Sequence, residues 1–547
     1  GLFAESIQTP YFTSAMRHEL LDAMQLDWSK VSPAIFGSMF QGVMDEKERR
    51  NLGAHYTSEK NILRVIKPLF LDELYEEYAQ ALKAGPRKKY DELRVLQDKL
   101  ASLKFLDPAC GSGNFLVITY RELRKLEHKI VAILVKGEQT QDMFASAGSG
   151  VGTLKVNVDQ MYGIEIEEFP SLIAQTALWL TDHQMNMEYS HESGKSFKRL
   201  PLTHSAKIVN ANALTTDWAD VVPPSELSYI LGNPPFVGKN QRNDVQAKAM
   251  SEVFTDINEA WKSLDFVSCW YVKACKYMQL NPKVQAALVS TNSITQGEQV
   301  PVLWPYLLSL GIHVNFAHKT FQWKNDARGV AAVHCVILGF AMSEKAEKRL
   351  FEYLDIKAEP IEVLAMNINS YLIDAANVIV YPRMKPISNV SQMINGSKPA
   401  DGGFLLLTAD EKARIVSSEP QAEKYIKKLV GADEFLNNLE RYCLWLVDCP
   451  PNELRAMPEV MRHVDGVRAF RQASSKLQTR ELARMPALFA EIRAQKSGSY
   501  LLVPKVTSEA REYAPIGFMN HETITTDRNH TVPNASQYEF GVLSSKI

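Results

Sequence analysis

The 547-residue chain has no apolar run near the roughly 18 residues needed to cross a bilayer, and no signal-peptide pattern at its start. Its six cysteines include no Cys-x-x-Cys pair and no histidine-rich neighbourhood, so the spacing argues against a zinc site and against a disulfide framework. A reducing, cytoplasmic compartment is therefore expected. Neither sign of charge dominates: 61 Lys and Arg face 63 Asp and Glu, and any contact with a nucleic acid must come from local clustering. Internal repeats and low-complexity tracts are missing too, which leaves an ordinary globular chain with 46% hydrophobic residues. It is too long for one core, and two to four domains are expected.

From about residue 104 to 340, short apolar segments alternate with helical ones. Residues 104–107 read as a buried strand, 108–114 as a turn and 115 to about 126 as a helix, the opening unit of a doubly wound α/β domain. Further strands are predicted at 160–166, 207–214, 228–231, 284–289 and 331–340, with helices around 173–180 and 266–280. The expected fold class is α/β, a doubly wound, Rossmann-like parallel sheet with an antiparallel edge. Residues 1–50 place Met16, Leu20, Leu21 and Met24 at helical spacing and read as a helical connector. Thr57 or Ser58 can cap a helix through Ile62, Val65, Ile66, Leu69 and Phe70. After about 385 the alternation stops at Pro386, Gly396, Pro399 and Gly402-Gly403, which divides the chain into 1–50, 51–385 and an α+β region at 386–547. Between Arg455 and Arg511, eleven Lys and Arg stand against five acids, either a solvated helix surface or a nucleic-acid face.

Two stretches carry chemistry. In Asp107-Pro108-Ala109-Cys110-Gly111-Ser112-Gly113-Asn114-Phe115, glycines at 111 and 113 let backbone pass close under a ligand at the end of the first strand. Leu116 stands where a dinucleotide fingerprint has its third glycine, and no Gly-Lys-Ser/Thr follows, which disfavours a nicotinamide oxidoreductase and a nucleotide triphosphatase. Asp107 suits a cationic group better than a pyrophosphate. Glu165, after the second strand, is placed to accept both hydroxyls of a ribose, and Asn212 could read an adenine edge or simply close its own turn. The other stretch is Leu231-Gly232-Asn233-Pro234-Pro235-Phe236. The Asn233 amide oxygen and the Pro234 carbonyl can accept from one exocyclic amine while Phe236 stacks on its ring, since proline keeps these carbonyls out of a ladder. A proline-rich turn, with or without a cis bond, is the ordinary alternative.

A glycine loop followed by Asn-Pro-Pro-Phe after the fourth strand resembles the S-adenosylmethionine-dependent amino-methyltransferases of DNA. The order Tyr56-Thr57, glycine loop, Asn233–Phe236 and then a basic region is similar to their gamma class, in which adenine N6 methylation predominates. Residues 32–37 and 49–57, with Val503-Pro504-Lys505-Val506, Ser508, Arg511, Tyr513 and Pro515, look like the fused type IIL restriction-modification group and its target-recognition domain. The resemblance implies S-adenosylmethionine as cofactor and double-stranded DNA as partner. It places Tyr56, Thr57, Asp107, Ala109, Cys110, Gly111, Gly113, Asn114 and Phe115 around the cofactor's methionine end, Glu165 at its ribose and Asn212 where the family commonly has Asp beside adenine. Asn233, Pro234, Pro235 and Phe236 would hold a flipped base, with Phe321 or Trp323, in the loop before the strand at 331–340, closing its other face. It also implies a nuclease domain. No Asp, Glu-x-Lys constellation precedes residue 50, where Asp45-Glu46-Lys47 sits in a charged helical stretch. The nuclease is expected on further N-terminal sequence, the chain is not expected to cut DNA alone, and the recognition domain is expected to be incomplete at Ile547. Rival readings are cytosine N4, an RNA base or a protein glutamine as methyl acceptor, or a DNA-specificity module with a vestigial cofactor fold.

Overall fold

A computed structural model describes residues 11–25, 57–141, 153–194, 205–257, 259–323, 333–507 and 511–545. Tyr56, Asp45–Lys47, Ser508 and all of the 1–50 connector except helix Ser14–Met24 and its flanks lie outside them. The chain forms two compact units, Gly1–Pro382 and Arg383–Ile547. Among the described residues no helix is long and apolar enough to cross a membrane.

The first unit is built on nine strands: β1 (Phe105–Asp107), β2 (Met161–Glu165), β3 (Lys207–Asn210), β4 (Tyr229–Gly232), β5 (Gln285–Thr291), β6 (His313–Trp323), β7 (Val333–Ala341), β8 (Lys348–Glu352) and β9 (Ile361–Ala365). Their order is β3-β2-β1-β4-β5-β7-β6-β8-β9. The first five are parallel, as the doubly wound reading requires. The antiparallel part is not only an edge, because β7 lies between β5 and β6 and pairs antiparallel with both. Successive strand residues feed opposite faces: Leu106, Ile230 and Leu288 pack in one core, Phe105, Leu231 and Val289 in the other. Burial on both faces explains why these strands read as near-continuous apolar runs.

Two strand predictions need correction. The third strand stops at Asn210, and Asn212 lies in the turn beyond it. Phe321 and Trp323 are not in a loop; both belong to β6, which is missing from the sequence reading. The register of β6 against β7 shifts between Val314 and Phe316 and again between His318 and Phe321, so its alternation is broken twice. The helix predicted at 115 to about 126 runs as Asn114–Gln141.

Helix Glu59–Ile66 buries Ile62, Val65 and Ile66 and passes into a π-helical turn, Lys67–Leu71, at Pro68, whose missing N–H opens the ladder there. Phe70 then meets Phe105 of β1 and Tyr229 of β4, each with ring centroids 5.0 Å apart, fastening the segment under the centre of the sheet. Behind the site, Arg124 is fully buried on helix Asn114–Gln141. It donates to Asp182 (2.7 Å) and Asn186 (2.8 Å) of helix Glu168–Ser193 and to the Tyr120 hydroxyl (2.7 Å).

The second unit contains β10 (Ile394–Asn395), β11 (Leu406–Leu407), β12 (Ile426–Val430), β13 (Tyr442–Leu444), β14 (Ser499–Pro504), β15 (Gly517–Asn520), β16 (Thr523–Thr525) and β17 (Asn529–Pro533). They form two sheets ordered β10-β17-β14-β15 and β11-β13-β12-β16. Helices such as Ala409–Ser418 and Pro458–Gln472 complete an α+β unit. One of the eleven cations of the basic region serves the fold. Arg471 is fully buried and donates to the carbonyls of Pro399, Ala400, Leu482, Met485 and Leu488 at 2.8–3.1 Å.

Candidate active site

Strand order reverses between β1 and β4, and in open α/β sheets the crevice at the carboxyl ends of such strands receives ligands. Asp107 ends β1 and Gly232 ends β4. A Cβ on Gly232 would stand 2.5 Å from Asp107 Oδ1, so only glycine allows the two strand ends this approach. Asp107 is buried, and its Oδ1 accepts from the Ala109 N–H at 3.1 Å. Burial pushes its pKa up to about 8; the Ala109 N–H opposes the rise and the nearby charge of Glu165 adds to it.

The glycine loop turns back over β2. Gly111, at φ +54°, donates its N–H to Glu165 Oε2 at 2.7 Å, and nothing lies within 4 Å of where its Cβ would be. Gly113, at φ +82°, passes so close to helix Glu168–Ser193 that a Cβ would meet Ala174 Cβ at 2.9 Å. Glu165 also accepts from the Glu167 N–H at 3.0 Å, and burial raises its pKa against these donors. Cys110 and Phe115 are buried, so their side chains serve the core, and the Cys110 backbone is engaged by the Ile164 carbonyl (3.1 Å) and the Gly113 N–H (2.8 Å). Asn114 opens the following helix.

Beyond β4, Asn233 Nδ2 donates to the Thr57 hydroxyl at 3.1 Å. Asn233 Oδ1 is buried and has no hydrogen-bond partner. Pro234 is buried, Pro235 and Phe236 half-buried, and Phe236 packs against both cores. No cis peptide bond occurs among the described residues.

Thr57 with Asn233, Asp107 with Ala109 and Gly111 with Glu165 are thus three hydrogen-bonded pairs at the carboxyl ends of β4, β1 and β2. Three other residues are engaged elsewhere. Asn212 Oδ1 accepts from the Leu214 N–H at 2.9 Å, closing its own turn. Phe321 is buried and stacked on Tyr353 (5.2 Å), with the Arg64 guanidinium 5.0 Å from its ring. Trp323 is buried beside Phe321. Two supporting residues escape the sequence reading. Trp270 Nε1 donates to the Pro108 carbonyl at 3.0 Å, and Lys273 donates to the Leu214 carbonyl at 3.1 Å, gripping the turn after Asn212. Both lie on the helix Ser268–Leu280, where core spacing hides any functional signal.

The donor set fits S-adenosylmethionine. Two carboxyls beside the open face of Gly111 suit a cationic amino-acid end and a ribose diol, and the unpartnered Oδ1 suits an incoming amine.

A sheet of this order, with acids after its first two strands and Asn-Pro-Pro-Phe beyond the fourth, defines the amino-methyltransferase fold class. Residues 82–352 match the family described as MmeI, DNA-methyltransferase domain, and residues 374–547 the MmeI target recognition domain. The solved structure of the type IIL restriction-modification enzyme MmeI in complex with DNA is 49% identical, with a TM-score of 0.87 over 99% of this chain and 71% of that one. The chain belongs to the MmeI family, as the sequence resemblance implied. DNA methyltransferase A of Bacillus subtilis is 38% identical over 552 residues, and this chain spans 60% of that relative's length. A putative type II restriction enzyme and methyltransferase of Methanocaldococcus jannaschii is 24% identical over 173 residues, 28% of this chain and 14% of that protein.

Proposed function

We propose that this chain transfers a methyl group from S-adenosylmethionine to the N6 amine of a flipped adenine in duplex DNA, as the modification activity of a bacterial restriction-modification system in the cytoplasm. The observation that carries this is Asn233 Oδ1: a buried acceptor without a partner, one residue past Gly232, which abuts Asp107 at the strand switch point. MmeI was solved in complex with DNA and the Bacillus relative is named a DNA methyltransferase, which supports DNA as the substrate; the exocyclic amine as acceptor rests on the Asn-Pro-Pro-Phe loop. The choice of adenine rests on the family.

The cofactor, when bound, supplies an electrophilic methyl on a sulfonium. Asp107 and Glu165 would hold its cationic and ribose ends, with the Gly111–Gly113 backbone beneath it. An adenine amine is a weak nucleophile because its lone pair is delocalised into the ring. Asn233 Oδ1 and the Pro234 carbonyl would each accept one of its hydrogens and localise that pair, so that positioning and a preorganised polar site carry the rate. No strong base is needed, since the amine loses its proton after alkylation. Stacking on Phe236 would offset part of the roughly few kcal/mol needed to unstack the base. In the second unit, Lys505 and Arg528 are exposed and adjacent, Lys505 N–H donating to the Arg528 carbonyl at 3.1 Å, and with Arg511 they are the cations we assign to DNA.

Mass spectrometry of nucleosides from the DNA of an expressing host tests this. N6-methyladenine above the background of a methylation-free host is expected. N4-methylcytosine in its place would move the assignment to cytosine, and no modified base would defeat the catalytic reading.

A further inference from the structure

Thr57 lies immediately before Ser58, the N-cap position of helix Glu59–Ile66, but the Ser58 side chain makes no capping bond. The Thr57 hydroxyl, buried in turn, accepts from Asn233 Nδ2 at 3.1 Å. The other end of that amide, Oδ1, is the buried atom without a partner. An asparagine amide is nearly symmetric in shape and opposite in chemistry at its two ends. Turned over, it would present an NH2 group to an incoming amine, donor against donor, and the site would repel the base it is meant to hold.

We propose that Thr57 is a positioning residue: by taking the Asn233 NH2 group it fixes the orientation in which Oδ1 faces the substrate amine. This rests on the methyl-transfer reading above. The hydroxyl is itself held in place by the packing of the helix it precedes, because Ile62, Val65 and Ile66 are buried and Phe70 is fastened on Phe105 and Tyr229. The orientation of a catalytic amide is therefore set by a segment 176 residues away in the chain. The family resemblance gives Thr57 a place beside the cofactor, and the hydrogen bond gives it a different task.

The test compares Thr57→Val, which keeps the shape and removes the acceptor, with Thr57→Ser, which keeps the hydroxyl. Side-chain amide protons of selectively labelled asparagine are followed by NMR, with Asn233→Ala used only to assign the Asn233 signal. Single-turnover methyl transfer and S-adenosylmethionine affinity are measured on the same proteins. Expected are slow amide exchange in the wild type and in Thr57→Ser, fast exchange in Thr57→Val, and an about tenfold slower transfer in Thr57→Val with cofactor affinity held within about threefold. Unchanged exchange and rate in Thr57→Val would overturn the proposal. So would a loss of cofactor affinity that matches the loss of rate, which makes Thr57 a cofactor contact, or a Thr57→Ser protein as slow as Thr57→Val. A wild type that shows the protected amide, with protection lost in Thr57→Val, yet transfers no methyl would overturn the methyl-transfer reading and leave the amide's fixed orientation demonstrated.

Discussion

The two loops that flank the strand switch point use their polar groups in opposite ways. Around the glycine loop the partners are internal: Asp107 Oδ1 takes the Ala109 N–H, Glu165 takes the Gly111 N–H, the Cys110 carbonyl takes the Gly113 N–H at 2.8 Å, and the Pro108 carbonyl takes the Trp270 Nε1–H. In the Asn-Pro-Pro-Phe loop only one end of the key amide is held, and the other is buried without a partner. A buried unsatisfied acceptor costs about 1–3 kcal/mol. The first loop is complete before any ligand arrives, so it can act as a rigid cradle. The second is completed by the substrate, and a contact made only in the complex is the kind that can contribute to catalysis.

Asn233→Ala removes the unsatisfied atom and breaks the comparison most severely. We expect methyl transfer to fall at least about 100-fold while S-adenosylmethionine affinity stays within about threefold, read by single-turnover kinetics and equilibrium binding. An equal loss in affinity and rate would place Asn233 in the cradle instead. Gly113→Ala strikes the cradle itself. A methyl group forced to 2.9 Å from Ala174 at φ +82° is expected to destabilise the first unit by about 2–3 kcal/mol in denaturant unfolding, with cofactor binding weakened alongside.

A pH-dependent effect comes from Asp107. Burial holds the Asp107 proton in the folded chain up to about pH 8, while an unfolded aspartate releases it near its ordinary value of 3.8. Between those values the folded state binds more protons. The contribution of Asp107 to stability is therefore full below about pH 4 and declines as pH rises toward 8, by at most about 1.4 kcal/mol per unit. Asp107→Asn is expected to remove that part of the slope. In the wild type, binding a cationic ligand would expel the proton, so affinity rises over the same window, with proton release measurable by calorimetry in two buffers. The smallest effect is expected at Asn212, where Asn212→Ala loses a turn bond and lowers cofactor affinity less than about fivefold, because the Oδ1 atom already serves the Leu214 N–H.

Much of this was legible in the chain. The central parallel strands β1, β4 and β5 are buried on both faces and announce themselves as apolar runs, and the two loops follow β1 and β4 at the carboxyl ends where ligands bind. The family was also legible, because its motifs occur in order around those loops. What escaped is what depends on distant packing. Phe321 and Trp323 read as aromatics in a loop because the two register shifts of β6 hide the strand that carries them. Asn212 fell inside the strand predicted at 207–214 because nothing local says that β3 ends at Asn210, although closing its own turn was one of the two roles the sequence offered for it. Thr57 read as a cap, the usual task of a threonine before a helix, and its bond to Asn233 spans 176 residues. Arg471 counted toward a basic face because its sequence gives no sign of the five carbonyls that surround it.

The most direct test of the central claim is a crystal structure of this chain with S-adenosylhomocysteine and a duplex carrying its methylation site, the site being read from the methylated DNA of an expressing host. The target base is expected out of the stack, its exocyclic amine about 3 Å from both Asn233 Oδ1 and the Pro234 carbonyl, within normal hydrogen-bond reach. A flipped base held with Asn233 Oδ1 bonded to another partner, or a cofactor seated away from Asp107 and Glu165, would contradict it.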